Sequence, residues 1–226
     1  MATHAGTVAP GWVELETGIE LDRLDGAHTL LTPTTLKIGL GRSVQLSLVD
    51  SFVRNSGNAP VASGLGDASL GIKWRLAENL PVAGDFAVLP SIKLATGSVR
   101  RRTGTGTTDA GLLLISSHQL GGVSLDVNAG YVRRSGDGSN APRNATLWTV
   151  SGGLPVVGAL GWAAELYGLP ATSGPAGQKA IVALLTGPTV QIRRWLAVDA
   201  GIIAPLAGPQ PHAVYAGLVW NIGQLY

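Results

Sequence analysis

Few side chains in this sequence could do covalent chemistry. There is no cysteine, and the four histidines are His4, His28, His118 and His212. The nearest thing to a nucleophile–base pair is Ser116 with His118, which share a face if the segment is a strand. A serine nucleophile also needs a third group to orient its base, and no acid is evidently placed to do so. His28 and His212 can meet at one rim of a closed sheet, but two imidazoles without acidic company do not make a metal site. No catalytic residue, metal site or cofactor is expected. The charged residues say more. Glu14, Glu16 and Glu20 alternate with Val13, Leu15, Thr17, Ile19 and Leu21, and Lys37, Lys73, Arg75, Lys93, Asp126, Asn128, Glu165 and Asp199 stand in the same way among apolar neighbours. Such a row of ionised groups could line a water-filled passage or pair across it and close it.

The elements that must carry these groups are strands. In 68–76, Ala68, Leu70, Ile72, Trp74 and Leu76 fall on one face, and Ser69, Gly71, Lys73 and Arg75 on the other. The segment 86–94 repeats the design, with Phe86, Val88, Pro90, Ile92 and Leu94 opposite Ala87, Leu89, Ser91 and Lys93. A soluble sandwich turns its apolar face inward, whereas a membrane barrel turns it to lipid and its charges to the lumen. Alternation alone does not choose between them.

Composition narrows the choice. Only 13% of residues are charged and mean hydropathy is +0.26, against about 25% charged in an average soluble domain. No run approaches the ~18 apolar residues of a spanning helix, so a membrane reading requires a barrel, the other structure that satisfies its backbone in lipid. The opening residues have neither a basic region nor an apolar core, so they do not read as a secretory signal peptide. They fit a mature chain with an added initiator Met. A net charge of +2, with no basic helix or aromatic-basic platform, gives no reason to expect a nucleic-acid partner.

Twelve strand-like segments follow in order: 12–21, 29–40, 44–53, 68–76, 86–96, 110–119, 123–133, 145–154, 160–169, 179–192, 195–205 and 213–222. Most match the ~9–11 residues of a tilted membrane strand. The connections alternate in length. Short turns at 41–43, 120–122, 156–159 and 193–194 are interleaved with polar loops at 55–67, 97–109, 134–144, 170–178 and 206–212, and 77–85 is longer than the rule asks. Outer-membrane barrels sort their connections in this way, and a sandwich has no reason to. Trp12, Trp148, Trp195, Trp220 and Tyr131 near strand ends suit interface girdles, and the C-terminal Tyr226 resembles the aromatic end of such barrels.

The reading is a single closed antiparallel transmembrane β-barrel, all-β, of about twelve strands in an up-and-down meander. It forms one domain over 1–226, with 1–10 as a loose N-terminal segment. The stretches Gly-Leu-Gly-Asp-Ala-Ser-Leu-Gly-Ile-Lys-Trp-Arg-Leu at 64–76, Leu-Pro-Ser-Ile-Lys-Leu-Ala-Thr-Gly-Ser at 89–98 and Gly-Thr-Gly-Thr-Thr-Asp-Ala-Gly-Leu-Leu-Leu at 104–114 resemble the meta-pathway phenol-degradation family of outer-membrane barrels. The match is clearest over 64–131. The resemblance implies a transporter-like barrel for hydrophobic or aromatic compounds in the Gram-negative outer membrane, with no catalytic residues to carry over.

On this reading Lys37, Lys73, Arg75 and Lys93 make a basic half-wall. Glu14, Glu16, Glu20, Asp126, Asn128, Glu165 and Asp199 face it. An open lumen would be a channel with a transverse field. A closed one, its charges paired, would leave function to the outer loops, and a soluble sandwich that binds a ligand is the third reading. Arg100, Arg101 and Arg102, with Arg133, Arg134 and Arg143 on the following loop, offer guanidinium groups that match phosphate. Lipopolysaccharide is therefore a candidate partner beside membrane lipids and the small-molecule solute.

Overall fold

Every regular element of the computed structural model is a strand, and the strands form one sheet closed on itself. The structure describes residues 2–225. Met1 and Tyr226 lie outside them, and with Tyr226 the expected C-terminal aromatic. The strands are β1 (Trp12–Leu24), β2 (Ala27–Gly39), β3 (Val44–Ser56), β4 (Ala62–Leu65), β5 (Ser69–Leu80), β6 (Gly84–Lys93), β7 (Asp109–Leu120), β8 (Val123–Arg134), β9 (Asn144–Val157), β10 (Leu160–Leu169), β11 (Ile181–Arg193), β12 (Leu196–Ala207) and β13 (His212–Gln224). Neighbours in sequence pair antiparallel, and the ring closes where β1 meets β13. The short β4 pairs with β3 from Phe52 to Asn55, and β5 pairs with β3 from Val44 to Val49. They are two pieces of one stave broken at 66–68, so the barrel has twelve staves.

Strand number, order and sidedness follow the alternation read from the sequence. Leu70, Ile72, Trp74 and Leu76 are exposed on the outer surface, while Gly71 and Lys73 between them are buried. No second sheet covers the apolar face, so that face meets lipid. Trp12, Trp74, Trp162, Trp195 and Trp220 are exposed near the end that carries the short turns, where an interfacial belt stands at the periplasmic side.

Four boundaries differ from the reading, each for a local reason. The 77–85 link is no long turn, because β5 runs on to Leu80 and β6 begins at Gly84. β1 and β2 likewise extend to a two-residue turn, Asp25-Gly26, with φ of 49° and 78°. This is the left-handed pair that a tight hairpin demands and that Asp-Gly supplies. β4 lacks apolar alternation and had passed for loop. At the C-terminal end the alternation breaks because the register slips between Val13–Gly223 and Glu14–Asn221, a bulge that leaves Ile222 without a counterpart.

The inner wall is less uniformly wet than the alternation suggested. Ala87 and Ile115 are buried there with Leu89 and Leu113 packed on them, and Tyr167, Ala183, Ile203 and Ala213 form a second apolar group with Leu185 and Tyr215. The segment ahead of β1, expected to be loose, lies inside the barrel: Ala5 is fully buried against Ala87 and Ile115. A narrow lumen with an apolar notch and a buried lysine has surface to cover, and this segment covers it.

Candidate functional site

The lumen collects the ionised residues, and the staves set which of them meet. β1 and β2 place Glu14 directly opposite Lys37. The Lys37 ammonium lies 3.0 Å from Glu14 and also contacts Glu16. Lys93 on β6 reaches Asp67 at 2.7 Å and Asp109 at 3.3 Å, and donates to the Thr105 hydroxyl and the Thr107 carbonyl. Arg134 also reaches Asp109, at 3.3 Å. Arg75 pairs with Glu78 at 2.8 Å and donates to the Arg42 carbonyl at the inner rim. Lys93 and Arg75 thus find acids on their own side, while Lys37 pairs with Glu14 and Glu16 of the expected acidic half-wall, which here stand on the adjoining stave rather than across the pore. A neighbouring carboxylate one strand away costs less ordering than one across a lumen, and a buried charge left unpaired is expensive.

Lys73, 2% exposed, pairs with no carboxylate among the described residues. Its ammonium donates to the Thr3 hydroxyl and to the His4 and Gly6 carbonyls, at 2.9, 2.8 and 3.3 Å. The same segment is held by Gln45, Ser117 and Glu165, which accept from the N–H groups of Val8, Ala5 and Ala2. Gly39 is glycine because a Cβ there would stand 2.2 Å from the Ala9 carbonyl. Burial, then the charges of Lys73 and Lys37, hold the His4 imidazole below its ordinary value against the opposing pull of Asp126 and Glu14, so the ring is neutral at pH 7. Asp126 accepts from Ser117. Asn128, 1% exposed, lies beside the buried Thr149, and neither side chain has a hydrogen-bond partner.

The open volume lies on the other side. A cavity of about 350 Å³ is bounded by Glu16, Glu20, Thr35, Asp199 and Tyr215. Among the described residues no lysine or arginine pairs with Glu20, Asp22 or Asp199. A second cavity, of about 690 Å³, opens at the inner end beside His4, Asp85, His118 and Asp126. The free charge along the remaining passage is therefore acidic.

At the outer mouth the loop 94–108 is tied down by Asp67. Burial pushes this carboxyl up, but hydrogen bonds from Lys93, from the Thr105 and Gly97 N–H groups and from the Thr105 hydroxyl outweigh it and hold it below the usual carboxylate range. A depressed pKa stabilises the loop at every pH above the unfolded value and withdraws that support as pH falls through the folded one. Hydrogen exchange of residues 94–108 is therefore expected to stay slow from pH 7 to pH 5 and to quicken below about pH 4. Asp67→Asn should make it fast throughout, and unchanged exchange in that variant would mean the loop is held elsewhere. Asp67 and Asp109 were not singled out in the sequence, although each stands in an Asp-Ala step in phase with the inward face, Asp109 opening β7 and Asp67 two residues ahead of β5. Gln45 and the inward apolar residues carried no signal beyond that phase.

The remaining candidates scatter. Ser116 lies 2.9 Å from His118 Nε2 but donates to the Ala83 carbonyl. His28 and His212 flank Arg23 from β2 and β13, and a cation between two imidazoles opposes metal binding. No group of three or more metal-ligating side chains occurs among the described residues. Arg100, Arg101 and Arg102 are exposed on the mouth loop, and Arg143 on the next loop is exposed too. Arg133 shares Asn144 with Tyr131, while Arg134 is drawn to Asp109 and away from the rim.

A closed barrel with an apolar belt outside and ionised groups within is an outer-membrane β-barrel of the Gram-negative kind. The chain belongs to the family described as "Putative MetA-pathway of phenol degradation", whose model matches residues 3–204, well beyond the stretch in which the resemblance was read. Its fold is similar to that of the COG4313 outer membrane channel from Pseudomonas putida F1, with a TM-score of 0.78 at 13% identity over 97% of this chain and 98% of that one. It is also similar to the NanC porin (TM-score 0.57, 10% identity, 93% of this chain and 100% of that one) and to the CymD monoaromatic hydrocarbon channel (0.52, 8%, 97% and 90%). Likenesses at such identities speak for the fold. None of the curated proteins matches the sequence.

Proposed function

We propose that the protein is a passive outer-membrane channel for small solutes and has no catalytic role. The observation that carries this is the open volume inside the barrel, a cavity between the acidic staves that is joined by a second at the inner end. Of its acids, Glu16 is held by Lys37, while Glu20 and Asp199 pair with no lysine or arginine among the described residues and are left to act on the passing solute. Tyr215, which lines the cavity and packs on the apolar group of Tyr167 and Ile203, gives a solute with a hydrophobic or aromatic body a surface to meet. The solved relatives named for channels and for a monoaromatic hydrocarbon support the reading by analogy of fold. Recording from the refolded protein in a planar bilayer tests it. Discrete steps with a preference for cations are expected, and a folded but silent barrel would refute the proposal.

We also propose that, at the outer edge, Arg133 and Arg100 to Arg102 take lipopolysaccharide phosphates, a reading that the exposure of these guanidinium groups supports. Replacing Arg100, Arg101, Arg102 and Arg133 by Ser is expected to reduce the lipopolysaccharide that co-purifies with the barrel. Equal amounts would remove this role.

A further inference from the structure

The segment 2–8 sits in the lumen as a ligand sits in a site. Staves from four parts of the wall hold it: Gln45 on β3 at 3.0 Å, Ser117 on β7 at 2.7 Å and Glu165 on β10 at 2.9 Å accept from its N–H groups, and Lys73 on β5 donates to two of its carbonyls and to the Thr3 hydroxyl. One methyl group, that of Ala5, fills the notch of Ala87 and Ile115. The wall does not need the segment, since the β1–β13 and β2–β3 ladders close the barrel without it. Among the described residues the chain ahead of β1 is bridged to a strand at Pro10 to Gly39, next to Gly11 with φ of 75°, a point about which the segment can swing. Apart from His4 and Val8 the side chains are small (Ala2, Thr3, Ala5, Gly6, Thr7), so little apolar surface commits them, and the entropy of ordering the segment opposes docking.

We infer that residues 2–8 are a displaceable plug, held in a lumen site centred on Lys73 and the Ala87–Ile115 notch. Its departure widens the passage and bares the Lys73 charge to the solute. The inference rests on the channel reading above. It adds that the lumen has two conducting states, one plugged and cation-preferring, the other wider and less selective because a lysine then faces the acids.

Three variants test it, each checked for folding by its heat-dependent gel migration. The barrel lacking residues 2–8 is expected to lose the parent's low-conductance level and part of its cation preference. A synthetic peptide of residues 2–8 restores that level, and a scrambled peptide does not. Ala87→Leu fills the notch from the wall side in the full chain and should reproduce the deletion, which keeps the test alive if the shortened chain fails to fold. Because the chain has no cysteine, Ala5→Cys with Ala87→Cys can be joined by one disulfide, which should hold the low level until a reductant is added. If the variants conduct at the parent's level, the plug is overturned while the channel stands. If parent and variants are all silent, both readings fall.

Discussion

An Ile72→Arg variant is expected to enter a bilayer in lower yield and with much reduced stability, while Thr35→Lys folds as the parent does. Ile72 is 49% exposed on the outer face of β5, one residue from the buried Lys73, so the two positions differ in side rather than in depth. A cation on the lipid face near the midplane costs about 2–4 kcal/mol. Folded proteins hold a margin of only about 5–15 kcal/mol, so one such change removes a large share of it. Thr35 faces the cavity and is registered opposite Glu16, where a new ammonium finds water and an acid. Refolding into liposomes, followed by urea titration of the gel-shifted form, measures both. Equal losses in the two variants would mean that the apolar face is not the lipid face.

That sidedness could be read because a strand writes its two faces into alternate residues, and 68–76 does so without a break. Loop lengths gave the number of staves for a similar reason, since every second connection must stay short. What escaped the sequence lies where the period of two says nothing. β4 is short and mostly small residues, and the hairpin at Asp25-Gly26 was hidden by polar residues that still belong to strands. The pairing of charges was misread because periodicity gives the face and not the partner. Lys93 meets Asp67 and Asp109 through strand register and a folded loop, so the basic half-wall is neutralised where it stands. The docked N-terminal segment was missed altogether. Its residues are mostly small and without pattern, and most of its hydrogen bonds are made by peptide groups, which the sequence does not distinguish.

The same pairing decides the pore's selectivity. Replacing Glu16 and Glu20 by Gln and Asp199 by Asn is expected to lower the cation-to-anion permeability ratio by roughly tenfold. A unit charge 4 Å away is worth about 1 kcal/mol even in water and about 4 in a partly screened site, and 1.4 kcal/mol is a factor of ten. Because mobile ions screen over about 10 Å at 0.1 M, reversal potentials should be taken across a salt gradient at low ionic strength. Lys93→Met is the contrasting change. If Lys93 lined an open basic wall, removing it would strengthen the cation preference. Tied to Asp67 and Asp109, it should instead loosen the loop 94–108 and add gating noise with little change in selectivity. A triple variant that keeps the parent's reversal potential would place the ion path away from β1, β12 and β13.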